Sequence, residues 1–271
     1  MILSRMGGYP ARPTSGVQLN YGHPITKKLQ LATVCSGPYA YDLVRGTSAT
    51  LQGNPTRGFA AWGSGLECDG TGDALEWAGH RTVMTDLDIT LGGLFRFDIV
   101  NRNCLATSNT TNAGFRLDLG GGSGTLRLTK GGVIAIDSGI SSGANSLLLV
   151  ASYRASDGVI NFVSRNVVTN VIETATVTNT SAPLNGDGIF SVGGARVFPT
   201  AVLDGNVGLA IISFQHHPLS TLVQWANDPY AMFLSQSPSV KYFLAAAVTP
   251  PDLVGSFSLT QSGGMIGRRY I

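Results

Sequence analysis

The chain has 271 residues, 43% of them hydrophobic and only 13% charged, where about 25% charged is usual; disordered chains are poor in apolar residues and rich in charge, so disorder is excluded. Its 35 glycines follow no G-X-Y period, which excludes collagen, and abundant Gly, Ser, Thr, Asn and Val is the composition of short strands joined by tight turns. The net charge of +2 is small and the one tight basic pair, Arg268-Arg269, continues into no basic stripe, so no nucleic-acid partner is expected.

Residues 1–26 show no clear period and contain Pro10, Pro13, Pro24 and the pair Gly7-Gly8. Proline fixes φ and removes a donor, so this stretch is expected to be an extended arm. Tyr9, Leu19 and Tyr21 are its candidate partner-binding residues. The first eight residues lack the apolar stretch of a signal peptide. The densest apolar runs, 147–151 and 243–248, fall far short of the ~18 residues of a membrane span. Synthesis in a cytoplasm and no membrane partner are therefore expected. Cys35, Cys68 and Cys104 are odd in number and form no C-x-x-C, so neither zinc nor a disulfide framework is expected.

Residues 27–235 carry the β pattern. Phe95, Phe97 and Ile99 alternate with Arg96 and Asp98, and Phe115, Leu117 and Leu119 with Arg116 and Asp118, the period of two of half-buried strands. Gly120 to Gly124 marks a turn, and Asp157-Gly158 between two strand-like runs is a hairpin signal. The core is expected to hold Leu94 or its alternates Phe95, Phe97 and Ile99, with Phe115, Leu117, Leu149, Phe162 and Ile211. One helix is expected over Leu219–Asn227, where Leu222, Trp225 and Ala226 share a face and Asp228-Pro229 ends it. Many strands with no long helices between them argue for an antiparallel sandwich. Residues 236–271 are too few to hold a core alone and are expected to form a C-terminal arm or add-on, with Tyr242, Phe243 and Tyr270 as its partner-binding candidates.

Five segments in order resemble the LamG-like, concanavalin A-type superfamily. They are Gly65–Leu75 with its Asp69-Gly70 turn, Asp88–Phe97, the Asp157-Gly158 hairpin, Ile189–Gly194, and Gly205–Ile212 followed by Pro218-Leu219-Ser220. The resemblance covers about 65–234 and implies an all-β, antiparallel jelly-roll β-sandwich with one short C-terminal helix and extended terminal arms. At the edges, Gly7–Pro13, Leu19–Pro24 and Asn227–Phe233 look like LamG-like proteins encoded among virion genes of tailed bacteriophages and prophages. That narrower resemblance implies a non-enzymatic virion structural protein, a capsid decoration or accessory protein made in the host bacterial cytoplasm. Its arms would bind other copies of itself and other virion proteins. The alternative reading is a lectin-like module that recognises host glycans.

Relatives of this fold include glycoside hydrolases, which need two carboxylates across the scissile bond. Glu67 and Asp69 begin an E-x-D-x-E pattern that Thr71 breaks, so no catalytic residues and no enzyme are expected. Calcium is commonly held at the rim of this superfamily, which makes Asp69, Asp73, Asp187 and Asp204 the metal candidates. Three of these precede glycine, where Asp also serves plain turn chemistry. No other cofactor is expected. His216 and His217 are adjacent on a strand and point to opposite faces. Trp62, Trp77 and Trp225, with Tyr39 and Tyr41, are candidates for stacking on a sugar ring.

Overall fold

The computed structural model describes residues 17–37, 40–110, 113–131, 134–195, 201–235, 257–262 and 265–270. In chain order the strands are β1 (Val17–Leu19), β2 (Leu29–Val34), β3 (Tyr41–Asp42), β4 (Thr47–Ser48), β5 (Thr50–Gln52), β6 (Thr56–Ala60), β7 (Gly63–Asp69) and β8 (Ala74–Trp77). There follow β9 (Ile89–Phe97), β10 (Arg102–Ala106), β11 (Phe115–Gly120), β12 (Thr125–Lys130), β13 (Ile134–Ser141), β14 (Ser146–Tyr153), β15 (Val159–Asn166) and β16 (Ile172–Thr178). The last are β17 (Phe190–Val192), β18 (Asp204–Ser213), β19 (Phe233–Ser235), β20 (Phe257–Ser262) and β21 (Met265–Tyr270). Helix α1 spans Leu219–Asn227.

The chain divides into two units. The first, described over Asn20–Met232, is an all-β sandwich of antiparallel sheets with one α-helix. Its two large sheets have seven strands in the order β13-β12-β11-β10-β17-β8-β5 and eight in the order β16-β15-β14-β9-β18-β7-β6, with β2 also paired to β18, and β3 and β4 pair with each other. The alternation read from the sequence sets which side chains meet between the sheets. Phe95, Phe97, Phe115, Leu117, Leu149 and Phe162 all lie in the main core. Ile99 does not: β9 ends at Phe97, the chain bends away, and Ile99 is 48% exposed.

The side of the eight-stranded sheet that faces away from the core carries a second apolar layer, in which Leu94, Leu148, Val150 and Ile211 are fully buried. Leu222, Trp225 and Ala226 of α1 are buried on that side. The helix packs on β14, β15 and β16 and on a 3₁₀ turn at Pro24–Thr26. Residues 20–26, read from the sequence as the end of an arm, thus belong to this unit, and Ile25 is fully buried. The last carbonyls of a helix lack partners within it. Here Arg165 supplies them, donating from Nη1 to the carbonyls of Ala226 (2.7 Å) and Asn227 (2.8 Å). No helix among the described residues is long and apolar enough to cross a membrane.

Trp225 sits so close to the sheet that β9 has glycine beneath it. A Cβ on Gly92 would lie 2.8 Å from the Trp225 ring and 2.9 Å from Val150 Cβ. Gly92→Ala is expected to cost about 1–3 kcal/mol through overpacking, seen as a lower urea midpoint with an unchanged slope.

The second unit is described over β1, β19, β20 and β21. β1 pairs with β19, Leu19 opposite Phe233, and β20 with β21, Phe257 opposite Tyr270.

Candidate functional site

Strand β8 alternates cleanly. Leu75 and Trp77 enter the core, so Glu76 faces the opposite way, onto the outer face of the seven-stranded sheet. The register continues from Thr50 through Glu76, Ser191, Ala106, Arg116 and Thr129, a single row across six strands. Glu76 is 7% exposed, and both its oxygens are occupied: Gln52 Nε2 donates to one at 2.8 Å and Asn109 Nδ2 to the other at 2.6 Å.

Asn109 carries the chain of bonds onward. Its backbone N–H donates to the Asp187 carboxylate at 3.1 and 3.3 Å. The same carboxylate accepts from Ile189 N at 3.0 Å, an Asx turn whose following Gly188 has φ +75°. One asparagine therefore joins two carboxylates, one from a strand and one from a turn. Gln52, Asn109, Arg116 and Asp187 are half-buried, so the cluster is fixed in place yet reachable from solvent.

A neighbouring row on this face holds Asp118, 5% exposed, which accepts from Arg127 Nε (2.6 Å) and Thr129 Oγ1 (2.7 Å). Burial pushes the Asp118 carboxyl up from its ordinary range, while the Arg127 charge opposes this. Desolvation lowers the Arg116 guanidinium.

The residues expected from the sequence lie elsewhere. Glu67 is held on the outer face of the other sheet by Arg96 and by Asn206 Nδ2 (2.7 Å). Arg96 also pairs with Asp98 at 2.8 Å. Asp69 closes its own turn by accepting from Thr71 N at 2.8 Å. Asp73, 1% exposed, accepts from Asn54 N (2.7 Å) and Asp69 N (3.1 Å), and its burial raises its pKa. Asp204 stands opposite Asp69 across β18 and β7. Among the described residues no group of three or more His, Cys, Asp or Glu is placed to hold a metal ion.

All three tryptophans are buried, at 6% for Trp62, 3% for Trp77 and 0% for Trp225, so none offers an open face for stacking. Tyr41 is half exposed, and its hydroxyl donates to the Gly46 carbonyl; Tyr39 lies outside the described residues. His216 faces Asn161 at 3.1 Å. His217 is buried, and its backbone N–H donates to Ser152 Oγ at 2.7 Å. Of the arm residues, Leu19 is in β1, Tyr21 is 70% exposed and Tyr270 is in β21. Tyr9, Tyr242 and Phe243 lie outside the described residues.

No family model and no curated protein matches the chain. The solved structures that match the chain include two that share its fold. One is domain 4 of a GH43 extracellular arabinanase from Geobacillus stearothermophilus in complex with arabinotriose, at 14% identity and a TM-score of 0.55, covering 73% of this chain and 98% of that one. The other is a mutant GH54 α-L-arabinofuranosidase soaked with 4-nitrophenyl α-L-arabinofuranoside, at 10% identity and a TM-score of 0.56, covering 86% of this chain. This chain spans 60% of the length of that enzyme. At such identities the likeness is one of fold. It nevertheless corrects the expectation that the chain is not an enzyme, because in both neighbours this fold is part of a glycoside hydrolase.

Proposed function

We propose that the sandwich binds carbohydrate on the outer face of its seven-stranded sheet. The observation that carries this reading is the fixed chain Gln52–Glu76–Asn109–Asp187. Carboxylates and amides locked before a ligand arrives present acceptors and donors to sugar hydroxyls with little ordering left to be done on binding. The fold likeness supports the ligand class, since the arabinanase domain was solved with arabinotriose. The finer description of the sandwich as a jelly roll is part of the same proposal and rests on the sequence resemblance.

Titration calorimetry with arabinotriose and a panel of plant and bacterial oligosaccharides tests it. Glu76→Gln and Asn109→Ala are each expected to weaken binding about tenfold, or about 1.4 kcal/mol, with thermal unfolding of the same variants measuring separately the stability lost with their buried hydrogen bonds. Binding that neither variant weakens removes this face as the site, and a panel with no binder removes the reading. Sugar release measured in the same samples separates a binding domain from a hydrolase.

The virion reading has less support. It rests on the resemblance at the chain edges, and one stretch of the expected N-terminal arm, 17–19, pairs with β19 of the same chain.

A further inference from the structure

We infer that a second sugar contact, for one terminal ring, lies at the end of the sandwich where β13, β14, β15 and β16 meet. A cavity of about 240 Å³ opens there, lined among others by Ser141, Ser142, Leu147, Ser164, Thr169 and Glu173. The ligand class rests on the carbohydrate reading above; the place does not.

The β15–β16 register pairs Ser164 with Glu173, Phe162 with Ala175 and Ile160 with Val177. Phe162 and Ile160 belong to the core, and Ala175 and Val177 pack against it. Glu173 therefore continues the core-facing side of the edge strand at its solvent-exposed end. Among the described residues neither the Glu173 carboxylate nor Ser141 Oγ has a hydrogen-bond or ionic partner, so both are open to a ligand. Both are exposed, at the open mouth of the cavity.

The walls around these two free groups are already set. Ser142 and Ser164 hydroxyls bond to each other at 2.7 Å. Asn166 Oδ1 accepts from Val168 N at 2.9 Å and Thr169 N at 3.0 Å. The turn that follows is closed by Asn166 N to the Val171 carbonyl (3.0 Å) and by Asn170 in the left-handed region, φ 63°. This turn carries Val168 and Val171, 70% and 56% exposed. The pocket thus offers a carboxylate and hydroxyls for vicinal O–H groups, and apolar Val171 and Leu147 for the C–H face of a ring. Its volume is below the about 300–1,000 Å³ of sites for drug-sized ligands, which suits one sugar ring and not a chain.

An inward charge on an edge strand also discourages pairing with other chains, so the test must separate the two roles. The isotope-labelled full chain is titrated by NMR with the methyl glycosides of L-arabinofuranose, D-galactose, D-glucose and N-acetyl-D-glucosamine, and with arabinotriose. One of the monosaccharides is expected to give saturable amide shifts at residues 141–142 and 164–173, with affinity falling about tenfold in both Glu173→Gln and Ser141→Ala. Shifts confined to the surroundings of Glu76 overturn the pocket and leave the carbohydrate reading standing. Shifts nowhere, with arabinotriose included, overturn both. A Glu173→Gln chain that binds the monosaccharide as before, and elutes as a larger species on size exclusion, overturns the pocket and assigns Glu173 to guarding the edge.

Discussion

Phe97→Ala is expected to destabilise the sandwich by about 3–5 kcal/mol. Phe97 is the last residue of β9 and 2% exposed, with its ring centroid 6.2 Å from that of Phe95. Removing the ring takes away buried apolar area and leaves a hole that its neighbours fill badly. β9 is hydrogen-bonded to β14 and β18 on its two sides, and Phe97 N–H donates to the Asn145 carbonyl at 3.0 Å. The backbone is therefore poorly placed to collapse into the void. Urea unfolding followed by far-UV circular dichroism measures the change, and a loss under about 1 kcal/mol would contradict full burial of the ring. Ile99→Ala, two residues on, is expected within about 0.5 kcal/mol of the parent, as for other surface positions.

His80→Phe is expected to make the protein much less sensitive to acid. His80 is 7% exposed and stacked on Phe190 at 3.7 Å, and neither ring nitrogen has a partner among the described residues. Burial, helped by the Arg45 charge, lowers its pKa from 6.5 to about 4. Because the folded value is depressed, the unfolded chain binds the proton first. The neutral ring's contribution is whole above pH ~6.5 and is lost as pH falls toward ~4, about 3 kcal/mol in full. His217, also lowered to about 4, adds a second loss of the same sign. Burial raises the carboxyls of Asp42, Asp73 and Asp118, which act oppositely and favour the folded state as pH falls. They are common to both proteins, so the difference between His80→Phe and its parent isolates the imidazole. Phenylalanine keeps the stack and has no proton to accept. Equal loss of stability in the two proteins between about pH 7 and about pH 5 would show that His80 does not titrate in this way.

Much of the fold could be read along the chain because its signals are local. Asp157-Gly158 joins β14 to β15 with Gly158 at φ +70°, and Gly121 and Gly124 take positive φ between β11 and β12. Helix α1 has the expected limits, since Pro218 and Asp228-Pro229 bracket it. The candidate site was not legible in the same way. Glu76 between Leu75 and Trp77 shows by alternation that it faces away from the core. Its partner Asn109 lies 33 positions away and comes from a loop, and Asp187 stands a further 78 along. No spacing rule links such positions; the sheet order brings them together. The carboxylates that local pattern did single out, Glu67 and Asp69, are absorbed by an ion pair and a turn. Ile25 was hidden for a different reason: the turn that carries it packs on α1, which comes far later in the chain.

The place of β18 in its sheet bears on how the protein is made. It lies between β9 on one side and β7 and β2 on the other, all of which precede it by more than a hundred residues. While the ribosome is still translating the stretch between β9 and β18, on the order of ten seconds at ~5–20 residues per second, the nascent chain holds the neighbours of its central strand without the strand itself. Native tertiary structure cannot close until residue 213 has emerged. Yield in the cell is then governed by how well chaperones shield that interval, and a fragment ending before 204 is expected to aggregate when expressed.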